Sequence, residues 1–344
     1  MNKKMKMKMC SMLLGLALFA ACSSDDDVVT PQPKSYPLTI EVSENPLIPE
    51  GGAASAATTR AAETTISSLD KFNMSYVYEG IEKPGDYTDV TCTNGVWGDK
   101  TGTAYTWPNG DPDKTVTWYA YTNGSFLLDG SSPYINFTGE EWANGQHDFL
   151  VSKTSGTYNN TNGHLYFTFD HACSALRFYV KKATNLNDYT LSISNIKLCH
   201  VVKHGKFYYN NNENEQWTLI NSSSTDYTNY TLYSGTPALA LGLTNYEPIY
   251  GTYETDESKI YLFIIPQTLT AWTPSTTNTI ATATTQTYLE IDCTITRTSD
   301  SYSIYSGKAY IPFGADLAKG TKRDVKINIG KNSLYKADGN KIIN

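Results

Sequence analysis

Residues 165–180 read LYFTFDHACSALRFYV, and this stretch contains two strand patterns on either side of a short break. In each half every second residue is large and apolar, which is the period of a β-strand that buries one face. The positions predicted to be buried are Leu165, Phe167 and Phe169 in the first half and Leu176, Phe178 and Val180 in the second. The stretch therefore predicts two consecutive strands, separated at residues 170–174.

The same period of two continues outward along most of the chain. Alternating runs occur at residues 116–120, 189–193, 289–295 and 325–329, and a change of phase at Ser194-Asn195 predicts a β-bulge. Asn-Gly and Asp-Gly pairs, which favour tight turns, separate many of the runs. The 26 tyrosines suit strands with a hydrated outer face. We predict an all-β fold built of β-sandwiches.

The first 27 residues have the organisation of an export signal. Four lysines precede an apolar run and the small residues Ala20-Ala21, which come directly before Cys22. The run has about 12 residues, too few for a membrane span, so residues 1–21 read as a signal peptide. A cysteine at this place predicts a lipoprotein acylated at Cys22, and an ordinary secretion signal is the alternative. The acidic run at residues 25–27 resembles the surface-export signal of Bacteroidota lipoproteins.

Residues 22–60 read as a tether and pro-segment that contains one short strand and ends at an arginine. Leu38, Ile40 and Val42 alternate with polar residues and predict that strand. The small residues at 51–57 predict an exposed loop, in which the Arg60-Ala61 bond suits a trypsin-like protease. The alternative is a linker in which Arg60 has no role.

Two further domains are predicted downstream of the pro-segment. The Asn- and Glu-rich residues 210–215 predict a loop, and we place the boundary there, which gives domains at 61–209 and 210–344. The net charge of −7 argues against nucleic acid as a partner. Outside the signal the four cysteines lack metal-binding spacing, and we interpret them as small buried apolar residues, with disulfide pairing as the alternative. They are Cys92, Cys173, Cys199 and Cys293.

Titratable residues with catalytic potential are few, and each has a simpler interpretation. Glu140 and Glu141 are adjacent and do not face one another as a glycosidase pair must. His200 and His204 would lie about 13 Å apart on a strand, too far to share a metal ion. His171 is interpreted as a residue at a strand corner. We predict no enzymatic activity, no cofactor and no metal site.

Several short motifs follow one another in a consistent order. They are the lipoprotein signal at Cys22, Thr59-Arg60-Ala61, YTWP at 105–108 before WYAY at 118–121, DFLV at 148–151, FTFDHA at 167–172 before LRF at 176–178, FIIPQ at 263–267 and GKAY at 307–310. In their order and spacing they resemble the fimbrillin-like proteins of Bacteroidota, the subunits of type V pili. The resemblance spans most of the chain.

The resemblance implies two tandem β-sandwich domains of transthyretin-like or Greek-key type. It implies anchoring in the outer membrane through a lipid such as palmitate on Cys22, a cut between Arg60 and Ala61, and loss of the strand that holds Leu38, Ile40 and Val42. The exposed groove would then accept a strand from another fimbrial subunit. The donor candidates in this chain are Val325, Ile327 and Ile329, with Ile342 and Ile343 in the tail. The implied role is that of a shaft, tip or accessory subunit that supports adhesion to a host or bacterial surface ligand.

A physical argument supports this expectation, and one alternative remains. A sheet that loses a strand exposes unpaired backbone groups and an apolar trough, which a neighbour's strand repairs by β-augmentation. The alternative is a glycan-binding surface lipoprotein that keeps its anchor and does not polymerise. Its binding residues would be tryptophans that stack on sugars, although isolated aromatic residues of sandwiches lie more often in the core or at its rim. The candidates are Trp97, Trp107, Trp142, Trp217 and Trp272.

Overall fold

The computed structural model describes residues 36–50, 69, 71–78, 85–139, 148–209, 216–249 and 261–343. These residues are organised almost entirely as β-strands, so the predicted all-β class is confirmed. The described residues also contain one short α-helix, α1 (Tyr158–Thr161). Short 3-10 turns occur at Pro108–Gly110, Thr184–Leu186, Ser224–Asp226 and Lys331–Ser333. Within the described ranges, no helix is both long and apolar enough to cross a membrane.

Seven strands form the largest sheet. In spatial order they are β1 (Thr39–Glu44), β10 (His164–His171), β9 (Leu150–Gly156), β6 (Val116–Tyr121), β3 (Lys71–Tyr78), β4 (Gly85–Thr93) and β5 (Val96–Gly98). The two-residue turn between β4 and β5 is the predicted Asn94-Gly95 pair, and both residues have positive φ, as a hairpin turn of this length requires. β1, from the N-terminal segment, forms one end of the sheet.

A second sheet contains strands from opposite ends of the chain. Its order is β16 (Glu247–Pro248), β11 (Ser174–Lys182), β22 (Thr321–Ile329) and β2 (Ile48–Pro49), and β17 (Leu262–Ile264) also pairs with β11. β22 runs parallel to β11 over eight residue pairs and also parallel to the short β2. The end strand β2 again comes from the N-terminal segment.

Two four-stranded sheets and one strand pair account for the remaining strands. The first has the order β15 (Tyr227–Ala240), β12 (Tyr189–Val202), β19 (Tyr288–Arg297) and β20 (Ser303–Pro312). The second has the order β14 (Trp217–Ile220), β13 (His204–Tyr208), β8 (Ser132–Thr138) and β7 (Ser125–Asp129). The strand pair is β18 (Thr268–Leu269) with β21 (Ala315–Asp316).

The alternating residues are buried where the sequence predicted them. Leu165, Phe167 and Phe169 of β10 are at most 2% exposed, and the apolar positions of β11 are equally buried. The main core combines apolar side chains of β11, β17 and β22 with those of β12, β15, β19 and β20, so it lies between two sheets. The register of β12 against β19 shifts between Ile193 and Asn195, which confirms the predicted bulge.

The described strands group into two compact units, each built from separate stretches of the chain, and the predicted domain bounds stay a prediction. The described parts of residues 1–43, 70–120 and 153–167 form one compact unit, and those of residues 44–69, 121–152 and 168–344 form another. The predicted boundary at 209/210 lies between β13 and β14. These two strands pair antiparallel, with His204 opposite Ile220 and Phe207 opposite Trp217. In the chain, residues 210–215 thus come between two paired strands of one unit. The sequence does not reveal this, because a polar loop has the same composition in a hairpin as in a linker. The predicted number of tandem sandwiches stays a prediction.

The four cysteines within the described residues are free thiols with two kinds of environment. Cys173, Cys199 and Cys293 are buried, as predicted, and burial raises the pKa of each thiol. The prediction is wrong for Cys92, which is exposed on β4. β4 lies near the end of its sheet, where strand alternation alone does not determine which face is covered.

Candidate functional site

The candidate site is the N-terminal segment Tyr36 to Glu50 together with the strand edges that it covers. Its first half contains the predicted strand residues, of which Leu38 and Ile40 are 3% and 5% exposed and Val42 is half-buried. The Leu38 amide donates to the Tyr105 carbonyl at 2.7 Å, and the Thr39 amide donates to the Gly163 carbonyl at 2.9 Å. The segment therefore forms part of a sheet rather than extending into solvent.

The start of the segment is held by the YTWP motif. The Trp107 amide donates to the Tyr36 carbonyl at 2.6 Å, and Pro37 forms an antiparallel bridge with Thr106. The Tyr36 ring contacts the Tyr158 ring edge-on, with centroids 4.9 Å apart. The YTWP motif thus provides backbone partners for the segment.

The second half of the segment, residues 44–50, belongs to the compact unit that also contains residues 168–343. The Asn45 amide donates to the Phe169 carbonyl at 2.8 Å, and the Ile48 amide donates to the Gly320 carbonyl at 2.8 Å. Between these anchors Leu47 is only 2% exposed. Pro49 is compatible with this position because an edge strand does not need every backbone donor.

The segment ends in a charged contact beside β22. The Glu50 amide donates to the Lys322 carbonyl at 3.0 Å, and the Glu50 carboxylate accepts from Arg323 Nε at 2.9 Å. The two side chains are 50% and 34% exposed, so water screens much of this attraction. Backbone pairing and the burial of Leu47 therefore contribute more than this ion pair to holding the segment.

The carboxylate of Glu44, the last residue of β1, lies beside the buried side chain of His171. His171 Nδ1 forms a hydrogen bond with the Asp148 carboxylate, and His171 Nε2 lies 3.4 Å from Glu44 Oε1. The side chains of His171, Asp148 and Glu44 are 2%, 1% and 11% exposed. Burial alone would lower the pKa of His171, but the hydrogen bond to Asp148 and the charges of Asp148 and Glu44 outweigh it, and the pKa is raised. The His171 ring thus lies between two carboxylates.

The donor candidates are occupied within the chain itself. Val325, Ile327 and Ile329 lie on the part of β22 that pairs with β11 and are at most 8% exposed. In the tail, Ile343 is 6% exposed within the main core, and Ile342 packs against that core. Whether any of these residues is donated to another subunit stays a prediction.

The processing residues Cys22, Arg60 and Ala61 lie outside the described residues, as do Glu140, Glu141 and Trp142. The other tryptophans considered for sugar stacking are not exposed: Trp107 and Trp272 are buried, and Trp97 and Trp217 are half-buried. Each of the half-buried indoles packs on phenylalanine rings. Among the described tryptophans, none presents the open face that stacking on a sugar needs.

The two histidines considered for metal binding have separate partners. His200 Nδ1 lies 2.7 Å from the Ala283 carbonyl oxygen, and His204 Nδ1 lies 2.9 Å from Asp226 Oδ1. In the part of the chain that the structure describes, no group of three or more His, Cys, Asp or Glu side chains could hold a metal ion.

Sequence reasoning missed the residues that dock the second half of the segment. Glu44, Leu47 and Glu50 are spaced three apart in a proline-rich stretch that was interpreted as a tether. Asp148 lies in the DFLV motif and His171 in the FTFDHA motif, but nothing in their spacing indicates that they touch. The available signal was the carboxylate and aliphatic spacing in ENPLIPE at 44–50.

An all-β body whose N-terminal segment completes the ends of two sheets is the arrangement that strand replacement requires. The family model described as fimbrillin-like matches residues 59–341, and the chain belongs to this family. Membership in this family indicates a structural protein with a fimbrial role at the cell surface, which assembles with other fimbrial subunits.

Similar solved structures come from species of Bacteroides and Parabacteroides. A fimbrial protein of Bacteroides vulgatus is 16% identical, with 86% of this chain and 96% of that chain covered and a TM-score of 0.48. A provisionally assigned cell adhesion protein of Parabacteroides distasonis is 7% identical, with 90% and 92% covered and a TM-score of 0.49. A similarly assigned protein of Bacteroides ovatus is 13% identical, with 88% and 95% covered and a TM-score of 0.43. A search of curated proteins gave no match.

Proposed function

We propose that this chain is a structural subunit of a type V pilus that accepts a strand from another subunit after residues 22–60 are removed. Before removal, the lipid on Cys22 anchors the precursor in the outer membrane. A protease cuts between Arg60 and Ala61, and the segment that holds Leu38, Ile40 and Val42 leaves. The processed chain then supports adhesion as part of the filament.

The observation that carries the proposal is the double edge position of residues 36–50. β1 ends the sheet beside β10, and β2 ends the sheet beside β22, so one segment covers two strand edges. Its departure would leave the carbonyls of Gly163, Phe169, Gly320 and Lys322 without their present donors. Unpaired backbone groups beside an apolar trough favour a replacement strand, because that strand restores both the hydrogen bonds and the burial.

The C-terminal region supports a position at the end of a filament. Both donor candidates, β22 and the tail at Ile342 and Ile343, are packed in the chain's own core. Donating either one would remove core side chains from the donor itself. The chain therefore acts as an acceptor whose donor is a different subunit, as a tip subunit would.

The test compares Arg60→Ala with the wild type and with the matched control Arg297→Ala, an exposed arginine paired with Asp300. Purified precursor is treated with an arginine-specific protease and mixed with its partner subunits. We expect the wild type and R297A to begin at Ala61 and to form high-mass species, whereas R60A stays an intact, lipidated monomer. Equal assembly of R60A and the wild type would refute the mechanism. Saturable polysaccharide binding by an uncut chain that begins at Cys22 would favour the glycan-binding alternative.

A further inference from the structure

Residues 44–50 cover a buried site for a carboxylate, formed by His171 and Asp148 and called here the carboxylate receptor. His171 lies at the end of β10, where the His171–Leu150 pairing and the hydrogen bond from the Ala172 amide to the Phe149 carbonyl fix the backbone. Asp148 occupies Nδ1 and holds the ring in one orientation. Nε2 therefore points toward Glu44, the side chain that the removable segment brings.

Backbone pairing alone would accept a strand of any sequence. The Asn45 backbone also forms a hydrogen bond with His171, and any strand supplies such a carbonyl. Only aspartate or glutamate adds a negative charge at the position of Glu44. Because the site is almost fully buried, this charge is screened little and discriminates between strands.

A second requirement lies three residues further along the segment. Leu47 is 2% exposed, between the backbone anchors at Asn45 and Ile48. A strand with a small side chain at the position of Leu47 would leave a cavity. A charged side chain at this position would be buried without a partner. Glu50 at Arg323 adds only a weak, exposed preference.

We propose that the subunit strand that replaces residues 44–50 carries an acidic side chain opposite His171 and a large aliphatic side chain three residues later. This inference rests on the proposed function, since it specifies the partner that strand replacement would select. The partner is thus a second fimbrial subunit whose donor strand contains the pattern acid-x-x-aliphatic. The residues of that donor strand that follow the aliphatic side chain run parallel to β22, as Ile48 and Pro49 do.

The test measures peptide exchange on protein cut after Arg60. Fluorescent 15-residue peptides with the sequence of residues 36–50 are added, and binding is followed by anisotropy at pH 6. We expect Glu44→Gln in the peptide to weaken binding about tenfold and Leu47→Asp about a hundredfold. The matched control is Glu41→Gln, which removes the same charge from an exposed pair with His164 and should change binding by about twofold or less.

The outcomes separate this inference from the proposed function. If the native peptide binds, L47D fails and E44Q binds like the native peptide, strand replacement holds and the acid requirement is refuted. If no peptide exchanges, both are refuted. A second measurement uses protein with His171→Gln, in which the native and E44Q peptides should bind equally. A persisting tenfold difference there would show that His171 is not the receptor, and the peptide series on wild-type protein decides the inference if H171Q does not fold.

Discussion

The indole Nε1 of Trp217 donates a hydrogen bond of 2.8 Å to the backbone carbonyl of Ala172, the residue that directly follows His171. Ala172 is fully buried, so this carbonyl has no access to water. The bond fixes the strand corner that holds His171, and it connects β14 to the end of β10 within one compact unit.

Trp217→Phe should therefore destabilise the protein although it keeps an aromatic ring. The substitution leaves the Ala172 carbonyl unpaired, which costs about 1–3 kcal/mol of unfolding free energy. Trp217→Ala should lose several kcal/mol in total, because the contacts with Phe137, Phe149 and Phe207 also disappear. Urea unfolding measures both values, and a W217F midpoint equal to that of the wild type would contradict the prediction.

The stability of the precursor should fall as the pH rises through the raised pKa of His171. A group whose pKa is higher in the folded than in the unfolded state stabilises the fold below its ordinary value, here 6.5, and loses that contribution above its folded pKa. The groups that face it are Asp148 and Glu44, with the protonated thiol of Cys173 nearby. Unfolding free energies measured between pH 5 and 9 should show this loss.

The control for the pH experiment is His171→Gln, which cannot gain a proton. The difference in unfolding free energy between wild type and H171Q should be largest near pH 6 and shrink toward pH 9. A difference that stays constant over this range would mean that the charge of His171 does not stabilise the fold.

The side chain of Gln267 forms hydrogen bonds with both backbone groups of Val202, as a neighbouring strand would. Its Oε1 accepts from the Val202 amide at 3.1 Å, and its Nε2 donates to the carbonyls of Val202 at 2.9 Å and Ile265 at 3.0 Å. Gln267→Ala should cost about 3 kcal/mol of unfolding free energy, because buried backbone groups lose their partners. Gln216→Ala, which removes a contact with Lys319, should cost less than about 0.5 kcal/mol and serves as the control. Equal effects of the two variants in urea unfolding would refute this role.

The tail should contribute to the stability of the isolated subunit. Ile343→Ala removes a side chain that is 6% exposed in the main core and should cost about 2–3 kcal/mol of unfolding free energy. A tail that served mainly as a donor would behave differently. In that case I343A would leave the monomer's thermal unfolding unchanged and would reduce filament growth instead.

The thiols should differ sharply in reactivity. Burial raises the pKa of Cys199 and of Cys293 to about 12, and that of Cys173 is also raised by burial, so little thiolate is present at pH 8. Cys92 is exposed. A small maleimide added at pH 8 should modify Cys92 in the native protein and the other three only in urea, as mapped by peptide mass spectrometry. Native labelling of Cys199 as fast as that of Cys92 would contradict the structure.

The local features of the fold could be predicted from the sequence. The alternation around Phe167 and Phe178, the bulge at Asn195 and the turn at Asn94-Gly95 depend on neighbours within a few residues, and the structure confirms each of them. The pairing of β13 with β14 across residues 210–215 could not be predicted, because a polar loop has the same composition whether it joins two domains or two paired strands.

The sequence by itself determined which face of the clearly alternating strands β10, β11 and β19 is buried and that residues 38–42 form a strand, since side-chain alternation is a property of the local chain. Only the tertiary structure decided that this segment covers β10 and β22 and that Glu44 meets His171 and Asp148. Backbone hydrogen bonds are the same for every sequence, so the choice of strand partner depends on how distant parts of the chain pack. The carboxylate receptor exists for the same reason, because it joins residues that are far apart in the sequence and adjacent only in the folded sheets.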